Sequence, residues 1–146
     1  NADPKTAFEA KFSLPYCVGA AIATGAVRIA AFSPEALADS GIRTLASKVV
    51  HKVDPKCDAA FPGRRSARVT IETADGRRFS HYAPTRKGDP DAPLSDAELD
   101  EKFAELVSDQ LGAGTAALGD RLWKIDGLAS LAELPLGRAA TQSAAE

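Results

Sequence analysis

The chain has 146 residues, enough for one domain with a buried core. A formal net charge of −2, with 26% charged residues, argues against a nucleic-acid or membrane-surface protein. The longest apolar run, residues 14–23, falls short of the ~20 residues that cross a bilayer, and the polar N-terminus lacks the apolar segment of a secretory signal.

Cys17 and Cys57 make no metal or redox spacing. Cys17, inside an apolar run, reads as a free thiol in a reducing compartment, so the expected location is cytoplasmic. The chain contains no methionine. It is therefore expected to be a piece of a longer protein, with residues 1–2 a tag remnant, 3–134 the folded domain and 135–146 a disordered tail.

In chain order, residues 3–13 form a polar lead-in with Phe8 and Phe12, expected to be extended or irregular. A helix follows. Ser13 can cap it, Pro15 suits its first turn, and Gly25 suits the left-handed position that ends it. From Val18 to Ala23 every residue is small or apolar, which predicts burial on all sides, with Gly19, Ala20 and Ala21 permitting close backbone approach. Its N-terminus carries the tightest cluster of polar functional groups in the chain, Lys11, Ser13 and Tyr16. At the positive end of a buried helix these groups can hold an anion. The alternative stands beside it: Ser13 as an ordinary cap, Tyr16 as packing and Lys11 solvated.

Residues 26–32 alternate and predict a short strand. Ser33-Pro34-Glu35 opens a helix over residues 34–39, and Ile42, Leu45 and Ala46 mark another over 42–47. Residues 48–54 predict a strand, with Val49, His51 and Val53 on one face; residues 55–66 read as a loop. The clearest β signal is a hairpin over residues 67–83. A three-residue turn, Ala74-Asp75-Gly76, sets Ile71 opposite Phe79, Val69 opposite His81 and Glu72 opposite Arg78. A two-residue turn would mix apolar and polar residues on both faces, so the three-residue turn is expected, with Gly76 left-handed and Ile71 and Phe79 facing the core.

Residues 84–94 form a proline-rich loop carrying Arg86 and Lys87. Ser95 and Glu98 then make a capping box. An apolar stripe of Leu99, Phe103, Leu106, Val107 and Leu111 follows, and Gly112 stops the helix. Residues 115–125 continue helically, and Leu128, Leu131 and Leu134 predict a last short turn. The expected class is α+β: a small antiparallel-containing sheet of at least three strands, a buried N-terminal helix and C-terminal helices.

No dinucleotide-binding, phosphate-loop, zinc-protease or Cys-x-x-Cys motif is present. His51 and His81, both expected on strands, read as structural. No carboxylate pair is spaced for acid–base work.

Three blocks together resemble a known family over about residues 7–125. They are Lys11-Phe12-Ser13-Leu14-Pro15-Tyr16 with its small-residue helix, the Asp75-Gly76 hairpin, and Lys87-Gly88-Asp89-Pro90 through Pro93-Leu94-Ser95 into Glu98–Phe103. In order and spacing they are similar to the C-terminal domain of the MmgE/PrpD family, which includes 2-methylcitrate dehydratase, cis-aconitate decarboxylase and iminodisuccinate epimerase. The likeness fades past Gly112, and Ala23-Thr24-Gly25 lacks the acid or asparagine often found before that glycine.

The resemblance implies a lid that closes over a large N-terminal helical domain of the same chain, in an enzyme expected to be a homodimer. It implies small polycarboxylate substrates and no metal or organic cofactor. Carried onto matching positions, it implies Tyr16 as a catalytic group, Lys11 and Ser13 as substrate-binding groups, and Arg86 and Lys87 as further substrate-binding candidates. A packing or dimerisation domain without catalysis is the rival reading.

Overall fold

Ser13 opens the central helix as its residue type requires. Its Oγ accepts the Tyr16 N–H at 3.2 Å in a computed structural model that describes residues 1–135. From residue 136 on, the expected tail lies outside the described residues. The fold is α+β, with seven α-helices and one two-stranded antiparallel sheet among the described residues. The chain divides into two compact units, the first Asn1–Pro84 and the second beginning at Thr85.

In the first unit, residues 3–13 are not irregular throughout. Helix α1 (Ala7–Lys11) starts at Thr6, whose side chain accepts the Glu9 N–H at 3.2 Å. Thr6-Ala7-Phe8-Glu9 carries the spacing of a capping box, a start signal that sequence reasoning missed. Helix α2 (Leu14–Thr24) has Pro15 in its first turn and ends at Gly25, φ 79°. It buries Tyr16, Gly19 and Ala20 against α4 (Ser40–Ser47). A Cβ on Gly19 would lie 2.8 Å from both the Ala46 nitrogen and the Ile42 carbonyl oxygen, so only glycine permits this approach. Burial on all sides does not occur: Leu14 and Ile22 stay 58% and 49% exposed, because within this unit α4 covers one face.

Residues 26–32 do not form a strand. Ile29–Phe32 is a 3-10 turn that buries Ala31 beside Tyr16 and Ala20. It leads to Ser33, which caps α3 (Pro34–Ala38) by accepting the Ala36 N–H at 3.2 Å. Asp39 caps α4 by accepting the Ile42 N–H at 2.8 Å, so the helix begins at Ser40, two residues before the expected start.

The predicted strand at 48–54 is also absent. Val50 and Val53 are 77% and 79% exposed, and without a neighbouring strand the alternation has no ladder to join. The expected loop instead contains α5 (Pro55–Ala60). Asp54 Oδ1 caps it, accepting from the Lys56 and Cys57 N–H groups at 2.9 and 3.3 Å.

Strands β1 (Ala67–Glu72) and β2 (Arg78–Ala83) pair in the expected register, Ile71 with Phe79 and Glu72 with Arg78, around Gly76 at φ 82°. Ile71 and Phe79 share a face, yet they are 42% and 53% exposed rather than in the core. The sheet stops at two strands instead of three, and the buried cluster of this unit is built from its helices.

In the second unit, α6 (Asp96–Leu111) carries the full capping box. Ser95 Oγ accepts the Glu98 N–H at 3.3 Å, and Glu98 Oε2 accepts the Ser95 N–H at 2.8 Å. Gly112 ends it at φ 51°, and α7 (Gly114–Leu122) buries Leu118. Trp123 Nε1 ties the pair together by donating to Asp100 Oδ1 at 2.6 Å. Helix α7 stops at Leu122, before the expected residue 125, and the last turns are short 3-10 segments at Ile125–Gly127 and Leu131–Glu133. No helix among the described residues is long and apolar enough to cross a membrane.

Candidate functional site

The polar cluster sits at the corner between α1 and α2. Lys11 ends α1 with its side chain exposed, and its Nζ lies 5.8 Å from the centroid of the Phe32 ring, within cation–π range. Among the described residues it has no carboxylate partner.

Ser13 and Tyr16 are turned inward. Ser13 is 2% exposed; its Oγ accepts the Tyr16 N–H and donates its proton to the Asn1 carbonyl. Tyr16 is 1% exposed, and its hydroxyl donates to the Ala31 carbonyl at 2.7 Å. Helix geometry predicts that this hydroxyl tilts back toward Ser13 and Lys11, away from the apolar body of the helix. It goes to the 3-10 turn instead, because a buried hydroxyl needs an acceptor and Ala31 supplies one inside the core. Burial raises the Tyr16 pKa, with the Cys17 thiol and the Asp39 carboxylate adding to it; burial also raises that of Cys17.

The three groups therefore do not converge on one open surface. Lys11 alone is exposed, backed by Phe32, whose ring centroid lies 6.3 Å from that of Tyr16. Sequence reasoning missed Phe32 and Ala31 as parts of this corner. A backbone acceptor has no side-chain signature, and Phe32 reads only as an apolar residue.

Arg86 and Lys87 belong to the second unit, and both are paired. Arg86 holds Asp89 through NH2 to Oδ1 at 2.8 Å and Nε to Oδ2 at 3.1 Å. The Arg86 guanidinium and, less strongly, the Thr85 hydroxyl hold the Asp89 carboxyl below the usual carboxylate range. Lys87 Nζ lies 2.9 Å from Glu98 Oε2. The Ser95 backbone N–H, then Lys87, then the Ser95 hydroxyl hold the Glu98 pKa down at about 2.

His51 lies exposed outside any strand rather than on the expected one, while His81 lies on β2 opposite Val69 as expected and is exposed. No group of three or more His, Cys, Asp or Glu among the described residues is placed to hold a metal ion. Chemically, this corner presents the exposed Lys11 ammonium near two buried, hydrogen-bonded hydroxyls.

The family model described as the MmgE/PrpD C-terminal domain matches residues 1–122. A comparison with curated proteins gives no match.

Proposed function

The chain belongs to the MmgE/PrpD family through its C-terminal domain, and from that membership we propose that it is part of a cofactor-independent lyase or isomerase of small di- and tricarboxylic acids, resembling 2-methylcitrate dehydratase. The reaction removes a proton next to a carboxylate, followed by loss of water or carbon dioxide or by reprotonation. A base must reach the carbon acid while cations and hydroxyl donors hold the carboxylates and the developing charge. In this reading the principal base sits in a large helical domain that this domain covers as a lid, so the domain alone turns nothing over.

The observation that supports a site on this domain is Lys11, an exposed ammonium without a carboxylate partner among the described residues. Lys11 binds a substrate carboxylate and Ser13 holds the start of α2; in the second unit, taken by itself, Arg86 and Lys87 are the candidate carboxylate-binding groups. Tyr16 is the proposed proton-transfer group. That role requires its hydroxyl to leave the Ala31 carbonyl when substrate is bound.

The Tyr16–Ala31 bond favours a second reading, in which Ser13 is a cap, Tyr16 a core residue and the domain serves packing or dimerisation. Lys11→Gln and Tyr16→Phe in the intact enzyme separate the two, assayed on 2-methylcitrate, cis-aconitate and related acids. The enzymatic reading expects a raised KM for Lys11→Gln and a kcat lowered ~10²-fold or more for Tyr16→Phe. Near wild-type kinetics in both variants, with only a lower melting temperature for Tyr16→Phe, supports the packing reading.

A further inference from the structure

Two neighbouring cations on the loop before α6 are each held by a carboxylate, but the two pairs are built differently. Asp89, the partner of Arg86, also shapes the loop. Its N–H donates to the Arg86 carbonyl at 3.2 Å, and its carbonyl accepts the Ala92 N–H at 2.8 Å. Glu98, the partner of Lys87, has donors of its own. The same Oε2 that meets Lys87 accepts from the Ser95 N–H at 2.8 Å and the Ser95 Oγ at 2.9 Å.

The Lys87 side chain is 56% exposed and that of Glu98 42%. Exposed ion pairs are weak, because water competes and two long side chains must be held in one geometry. The loop backbone does not depend on the Lys87 side chain either. Gly88, at φ 95°, donates its N–H to the Ala92 carbonyl at 2.7 Å. Lys87 can thus leave Glu98 while both the loop and the helix cap stay bonded.

We infer that Glu98 is a stand-in carboxylate: it holds the Lys87 ammonium when substrate is absent and yields it to a substrate carboxylate, while remaining on the cap of α6. This rests on the carboxylate-binding role proposed above for Lys87. The step exchanges one carboxylate for another at a single ammonium; no covalent bond changes and no proton moves. Until then the pair keeps the ammonium oriented at the base of the loop.

The test is titration of tricarballylate, a tricarboxylate, into the intact enzyme at low ionic strength, where charge effects are least screened. Glu98→Gln keeps a residue that serves in a capping box and removes the competing charge. It should bind tricarballylate about two- to fivefold more tightly than wild type. Asp96→Asn, which removes an equal charge from the same helical turn, should leave the affinity unchanged. Lys87→Gln should weaken binding, and adding Glu98→Gln to it should change nothing further.

If Lys87→Gln weakens binding but Glu98→Gln gains nothing, or gains no more than Asp96→Asn, the stand-in role is overturned and the carboxylate site survives. If Lys87→Gln binds as tightly as wild type, or wild type does not bind, the carboxylate-binding reading of Lys87 fails and takes this inference with it.

Discussion

The Tyr16 hydroxyl donates to the Ala31 carbonyl across 2.7 Å, with Tyr16 1% and Ala31 5% exposed. This bond fastens the 3-10 turn to α2 and sets Phe32 beneath the Lys11 ammonium. Tyr16→Phe keeps the ring but leaves that carbonyl buried without its donor. The expected loss is ~1–3 kcal/mol of stability, the usual cost of an orphaned buried polar group. Chemical denaturation of the full chain measures it, and an unchanged midpoint would show that the bond carries no stability.

Gly19 should tolerate no side chain. An added Cβ would meet the backbone of α4 at 2.8 Å, and backbone cannot rotate away as a side-chain tip can. Gly19→Ala should destabilise by ~1–3 kcal/mol or more despite its better helix propensity, since overpacking forces the helices apart. A variant as stable as wild type would show that α2 and α4 do not approach this closely.

Gly76 tests the hairpin turn in the opposite way. Nothing lies within 4 Å of the place its Cβ would occupy, so only the backbone angle, φ 82°, resists substitution. Gly76→Ala should cost ~1–2 kcal/mol and Gly76→Asn clearly less, because asparagine tolerates the left-handed region. Equal losses in the two variants, read from thermal melts, would mean that the turn does not place residue 76 there.

The Glu98 carboxyl gives a pH dependence with a defined sign. Its pKa is about 2 in the folded chain against an ordinary value of 4.5, held down first by the Ser95 N–H and then by Lys87 and the Ser95 hydroxyl. The folded state therefore binds fewer protons at this group than the unfolded state. The contribution of the cap is full above the ordinary value of 4.5 and is lost as pH falls toward about 2. A carboxyl-carbon NMR titration of Glu98 should show a depressed midpoint, and one near 4.5 would mean that the box is not formed in solution.

Much of the local structure was legible in the sequence because its causes lie within a few residues. Ser13, Pro15 and Gly25 bound α2, Ser95 and Glu98 start α6, and the pairing of Ile71 with Phe79 follows from matching residues across a three-residue turn. The starts of α1 and α5 were equally local, at Thr6 and Asp54, although sequence reasoning passed over them. What the tertiary structure decided is where each segment found its partner. The alternating residues 26–32 and 48–54 needed a neighbouring strand and had none among the described residues, so Ile29–Phe32 folded as a 3-10 turn and 48–54 formed no strand, with Val50 and Val53 exposed. The candidate site divided in the same way. The sequence brought Lys11, Ser13 and Tyr16 together by their proximity in the chain. That the Tyr16 hydroxyl turns inward depends on Ala31, fifteen residues away, whose carbonyl takes a hydroxyl that burial would otherwise leave unpaired.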